Sequence, residues 1–94
     1  MSGDGTLRID AWLWRARFFK TRSLATKFVD AGRVRLTRLG AETRLDKASR
    51  TVKPGDILVF AVSGRVVAVC IEALGERRGP PAEAAGLYRH LENN

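Results

Sequence analysis

Between residues 15 and 35 the sequence sets Arg15, Arg17, Lys20, Arg22, Lys27, Arg33 and Arg35 against a single acid, Asp30. Side chains of these types hold phosphates: guanidinium forks and ammonium groups supply the charge, and hydroxyls such as those of Thr21 and Ser23 fix orientation. The excess is confined to one half of the chain. Residues 1–50 carry 12 Lys/Arg and 5 Asp/Glu, a difference of +7, whereas residues 51–94 carry five of each. Solubility alone does not need that asymmetry, so the first half is read as an electrostatic footprint for a polyanion. Separately solvated charges are the blander reading of the same positions.

Residues for bond-making chemistry are missing from the pattern. Cys70 sits in an apolar run and is read as core. His90 has no His, Cys or carboxylate at metal-ligand spacing, and nothing links it to Cys70 as a nucleophilic pair. Gly32, Gly40, Gly55 and Gly64 are isolated, each suiting a cap or turn and not a phosphate-cradling loop. Asp10, Asp30 and Asp56 are scattered, with no pair spaced for general acid–base work. No enzyme, metal, cofactor or small-molecule substrate is therefore expected.

A chain of 94 residues makes one domain with a small core, so a large active-site cavity is hard to fit. One cysteine cannot form an internal disulfide and fits a reducing compartment. No apolar run approaches the roughly 20 residues of a membrane span. Residues 1–6 are small and polar, without the basic and apolar regions of a secretory signal; a frayed end and a cytoplasmic location are expected.

The elements that must position the basic set follow from periodicity. Ile9, Trp12, Leu13, Ala16 and Phe19 recur at helical spacing and form one buried face, with Arg8, Arg15 and Arg17 off it. Trp12 belongs to that face. Trp14 looks elsewhere: it covers the C-terminal helix, sits in the groove between helix and sheet, or stacks on a base, with packing favoured over stacking. Lys20-Thr21-Arg22-Ser23 breaks the period, and Thr21 or Ser23 suits a helix N-cap. A second helix is expected over 22–31, with Leu24, Ala25, Phe28 and Val29 apolar and Gly32 as its left-handed cap. Val34 and Leu36 then alternate with Arg33, Arg35 and Thr37, as in a half-exposed strand. Residues 38–50 read as a polar loop or irregular hairpin, and Lys53-Pro54-Gly55-Asp56 as a turn. Residues 57–62 and 66–71 are paired strands joined at Ser63-Gly64-Arg65. Arg77-Arg78-Gly79-Pro80-Pro81 ends the sheet. Pro81 and Glu83 suit a helix start, and Ala84, Leu87, Tyr88 and Leu91 make the stripe of a short C-terminal helix.

The order Arg8-Ile9-Asp10, Lys20-Thr21-Arg22-Ser23, Ala25, Gly32-Arg33-Val34 and Lys53-Pro54-Gly55-Asp56 resembles the S4-type RNA-binding domain over residues 7 to about 62. Ala11-Trp12-Leu13-Trp14, Ala16-Arg17-Phe18-Phe19, Arg77-Arg78, Glu83-Ala84-Ala85 and Leu87-Tyr88 extend the resemblance over nearly the whole chain, to the bacterial ribosome-associated heat shock protein 15 family. It implies an α+β fold of the αL type: two helices on a small antiparallel sheet spanning 7–75, and a 76–94 segment whose short helix docks on that domain. It also implies rRNA of the large ribosomal subunit as partner when translation stalls and a subunit leaves with its nascent chain on tRNA; a monomer is expected, and whether tRNA is itself contacted is left open by the sequence. RNA-contacting positions carried over are Arg8, Lys20, Thr21, Arg22, Ser23, Lys27 and Arg33. Arg15, Arg35 and Lys47 are added from charge and expected direction. The chain departs from the family at Thr37-Arg38-Leu39-Gly40, where a shorter Asn-Gly turn is usual and a longer insertion is expected here, which bears on Lys47.

Two other functions use the same basic face. A helix-turn-helix DNA reader would present its second helix to base edges, but the exposed positions there, Thr26, Lys27 and Asp30, include no Asn or Gln for bidentate readout. An RNA-targeting module of an RNA-modification system is the third reading; no catalytic portion accompanies it in these residues.

Overall fold

The computed structural model describes residues 5–91. In chain order the elements are β1 (Leu7–Arg8), α1 (Ile9–Arg15), α2 (Arg22–Asp30), β2 (Val34–Arg38), β3 (Ala41–Leu45), β4 (Thr51–Val52), β5 (Ile57–Val62), β6 (Arg65–Ile71), α3 (Pro81–Ala84), a 3-10 turn (Ala85–Leu87) and β7 (Tyr88–His90). One antiparallel sheet runs β3-β2-β5-β6-β7, and β1 pairs with β4 as a separate ladder. The class is α+β, with both helices on one face of the sheet. The expected frayed end, 1–6, lies mostly outside the described residues.

Period-two alternation decides which face is covered. Val34, Leu36, Leu45, Leu58, Phe60, Val69 and Ile71 point inward and meet Ile9, Trp12, Leu13, Ala25 and Val29 from the helices in one core. Trp12 is wholly buried, and its Nε1 donates to the Ala73 carbonyl at 2.9 Å, so the indole fills the core without an orphaned donor.

The helical stripe outlasts its helix. α1 ends at Arg15 instead of running towards Phe19, because Arg17 takes a left-handed φ of 68°. Arg17 N then donates to Trp14 O and Phe18 N to Leu13 O, the paired bonds of a Schellman cap with arginine where glycine is usual. The reversal turns Phe18 back onto Trp12, Phe60 and Tyr88, with ring centroids 4.8–6.1 Å away, and lets Phe19 meet Phe28 at 4.9 Å. α2 starts at Thr21, whose hydroxyl accepts from Leu24 N at 3.1 Å, and stops before Gly32 at a φ of 75°.

Three other expectations are corrected. Residues 38–50, read as a polar loop or irregular hairpin, begin with a regular hairpin: β2 and β3 pair with Arg38 opposite Ala41. Leu39 and Gly40 both have positive φ, 53° and 82°, as in a type I′ turn, and Ser63-Gly64 does the same between β5 and β6. The C-terminal helix is only four residues plus a 3-10 turn. Beyond Leu87 the chain extends, and Tyr88, Arg89 and His90 pair with Ile71, Cys70 and Val69, which satisfies the backbone of that end of the β6 edge. Cys70 is half-buried on the outer face of β6, outside the core.

Candidate RNA interface

The site is organised by an acid. Asp10, in the first turn of α1, is 1% exposed yet carries a carboxylate, which needs partners to stay there. Arg8 donates through Nε to Oδ1 at 3.2 Å and through Nη2 to Oδ2 at 3.0 Å; Arg22 reaches Oδ1 at 3.4 Å, and the Thr26 hydroxyl donates to Oδ2 at 2.9 Å. Arg22 and Thr26 share one flank of α2 because they lie four residues apart. Burial by itself raises the Asp10 carboxyl, but the hydrogen bonds from Arg8 and Thr26 and the charges of Arg22 and Arg8 outweigh it and hold the group below its ordinary 3.8. Both guanidiniums remain about half exposed, at 48% and 47%, so each is fixed from beneath and open above.

The rest of the basic set follows the helix surface. At 100° per residue, Ser23 and Lys27 fall on the solvent side of α2, between the Arg22–Thr26 flank and the opposite flank carrying Phe28. Lys20, Thr21, Ser23 and Lys27 are exposed, and neither lysine has an acidic partner among the described residues. Arg33 follows Gly32 and lies over Phe28, its Cζ 5.8 Å from the ring centroid. Arg8, Lys20, Arg22, Lys27 and Arg33 thus follow one another from the head of α1, across α2, to the start of β2.

Three expected site residues lie apart from that band. Arg15 is half-buried and donates to the Gly75 carbonyl at 2.7 Å, on the side of α1 facing the C-terminal segment. Arg35 projects from the outer face of the sheet and pairs with the exposed Glu42 at 3.5 Å. Lys47 is exposed beside the C-terminal end of α2, where Asp30 accepts from Ala48 N at 2.8 Å. Trp14 packs: it is half-buried, with Arg78 5.8 Å over its ring and Arg78 Nε donating to its carbonyl at 3.0 Å.

Sequence reasoning missed Asp10 and Thr26 as positioning residues. The available signal was the i, i+4 spacing of Arg22 and Thr26 together with an acid flanked by Arg8; which acid would meet which arginine is settled only by the crossing of α1 and α2. Arg38 was also unassigned. Its guanidinium grips buried Asp56 at 2.9 and 2.7 Å, and Asp56 in turn accepts from Lys53 N, so it serves the 53–56 turn. The hydrogen bond to Asp56 pushes the Arg38 guanidinium above its ordinary value.

Residues 7–36 match the S4 domain family. The chain is 34% identical to the heat shock protein 15 homolog of Haemophilus influenzae over 94% of its own length and 63% of that relative's, so it spans less than two thirds of that protein. It is 34% identical to the RQC P-site tRNA stabilizing factor of Bacillus subtilis, over 92% of this chain and 93% of the other. A solved trimeric heat shock protein 15 from Vibrio cholerae superposes with a TM-score of 0.78 at 35% identity, covering 92% of this chain and 82% of that one.

Proposed function

Because the chain belongs to the heat shock protein 15 family of S4-domain proteins, we propose that it is a non-enzymatic RNA-binding protein of ribosome rescue. The observation that carries this reading is the fixed placement of Arg8 and Arg22 on one buried carboxylate, beside Lys20 and Lys27, which have no acidic partner among the described residues. A-form RNA hides its base edges in a deep groove, so backbone and 2′-hydroxyls are what such a band meets. Arg8, Lys20, Arg22, Lys27 and Arg33 hold phosphates, and the Thr21 and Ser23 hydroxyls orient the strand. The Thr21 oxygen already accepts from Leu24 N, which leaves its hydrogen to donate. Arg15, tethered to the Gly75 carbonyl, and Lys47 lie apart from this band and take no phosphate in it.

The proposed target is rRNA of the large ribosomal subunit carrying a stalled nascent chain during heat stress, in the cytoplasm, with P-site tRNA within reach; similarity to the P-site tRNA stabilizing factor of Bacillus subtilis supports the tRNA contact. The protein acts as a single copy on the RNA. Crosslinking in cells, followed by sequencing of the attached RNA, tests this: reads concentrated in one large-subunit rRNA segment are expected. Reads spread over messenger RNA count against it, and an rRNA fragment displaced by equimolar duplex DNA counts for the helix-turn-helix alternative.

A further inference from the structure

The outer face of the five-stranded sheet carries a second cluster that the basic band does not use. Arg35 and Arg44 stand directly opposite each other on β2 and β3, a like-charge cross-strand pair that destabilises a sheet. Arg35 has one acidic neighbour, Glu42, which is itself 54% exposed, and Arg44 has none among the described residues. The Arg44 side chain lies beside Gly32, its Nε 3.6 Å from where a Cβ would stand. Together with Arg33 these arginines rim a shallow groove of about 270 Å³ whose floor includes Val59 and Val66, the latter 71% exposed.

Three guanidiniums around an aliphatic floor match a ligand that is anionic along one edge and flat and apolar on its face. We propose that this groove holds one unpaired nucleotide of RNA, its phosphate on Arg35 and Arg44 and its base against Val59 and Val66. The inference rests on the function proposed above and extends that interface around the end of the sheet. Arg33 joins the two surfaces, since it covers Phe28 of α2 and lines the groove as well. A single strand leaving the helix-bound stem therefore reaches the groove without crossing uncharged surface. Packing of two copies through this face is opposed by the same arginines, which would meet their own kind.

The test uses the full chain with two probes, a short RNA hairpin and the same hairpin carrying an oligouridine tail. Wild type should bind the tailed RNA about tenfold more tightly. Arg44→Ser and Val66→Glu should bind both RNAs equally, at the wild-type affinity for the blunt hairpin. Both side chains are exposed and Arg44→Ser also removes a like-charge pair, so thermal unfolding at or above the wild-type temperature is expected and checks that the fold is intact. A wild-type protein without tail preference, or variants that keep it, overturns the groove alone. Failure of wild type to bind either RNA overturns the parent reading and the groove with it. Val66→Glu converting an oligomer to a monomer in sedimentation identifies the face as a protein interface instead and also overturns the proposal.

Discussion

A single buried carboxylate does more for this surface than its sign suggests. Replacing Asp10 by Asn adds one unit of positive charge, and simple attraction to RNA would then strengthen binding. If Asp10 works by aiming Arg8 and Arg22, Asp10→Asn should instead weaken RNA binding about tenfold in titrations at fixed salt. Its protonation gives a second check. The carboxyl is held below its ordinary value in the folded state, so its stabilising contribution is complete above pH 3.8 and disappears as pH falls from there through the lowered value. The stability difference between wild type and Asp10→Asn should accordingly be flat around neutral pH and shrink in that acid range. A difference that grows on acidification contradicts the assignment.

At the level of elements, the hairpin between β2 and β3 carries visible strain. Leu39 is 98% exposed and left-handed, a conformation that costs a branched side chain roughly 1–2 kcal/mol and that asparagine tolerates. Leu39→Asn should raise stability by about 0.5–1 kcal/mol in denaturant unfolding, with RNA affinity unchanged, because nothing in the band touches the turn. A loss of stability would show that the turn geometry is wrong. The same hairpin marks where the sequence was hard to read. Ser63-Gly64 announced its turn, but Leu39-Gly40 did not, since leucine is a poor turn residue. Tyr88 and Leu91 satisfied a helical stripe that pairing with the open β6 edge overrode. By contrast the bounds of α2, with Thr21 before it and Gly32 after it, were legible, as were the β5 and β6 strands, but Leu24, read as part of the apolar face of α2, is 49% exposed on its outer side. Side-chain partners across elements were not legible: the Asp10 constellation and the tethering of Arg15 to Gly75 depend on how helices and the C-terminal segment cross, which local periodicity does not encode.

For the whole molecule, the account requires a continuous phosphate-binding band over α1, α2 and the start of β2. Binding should weaken steeply with salt, as several phosphate contacts release counterions together. Arg22 is a poor probe of this, since a glutamate there would face buried Asp10 and disturb the fold. Lys20 and Lys27 are exposed and without acidic partners among the described residues, so reversing both alters the field with little effect on packing. The direct measurement is RNA affinity against salt for wild type and the Lys20→Glu/Lys27→Glu double variant. An affinity lower by about 100-fold at low salt, a log–log slope shallower by about 2, and unchanged thermal unfolding are expected. Wild-type affinity and slope in the double variant would contradict the band.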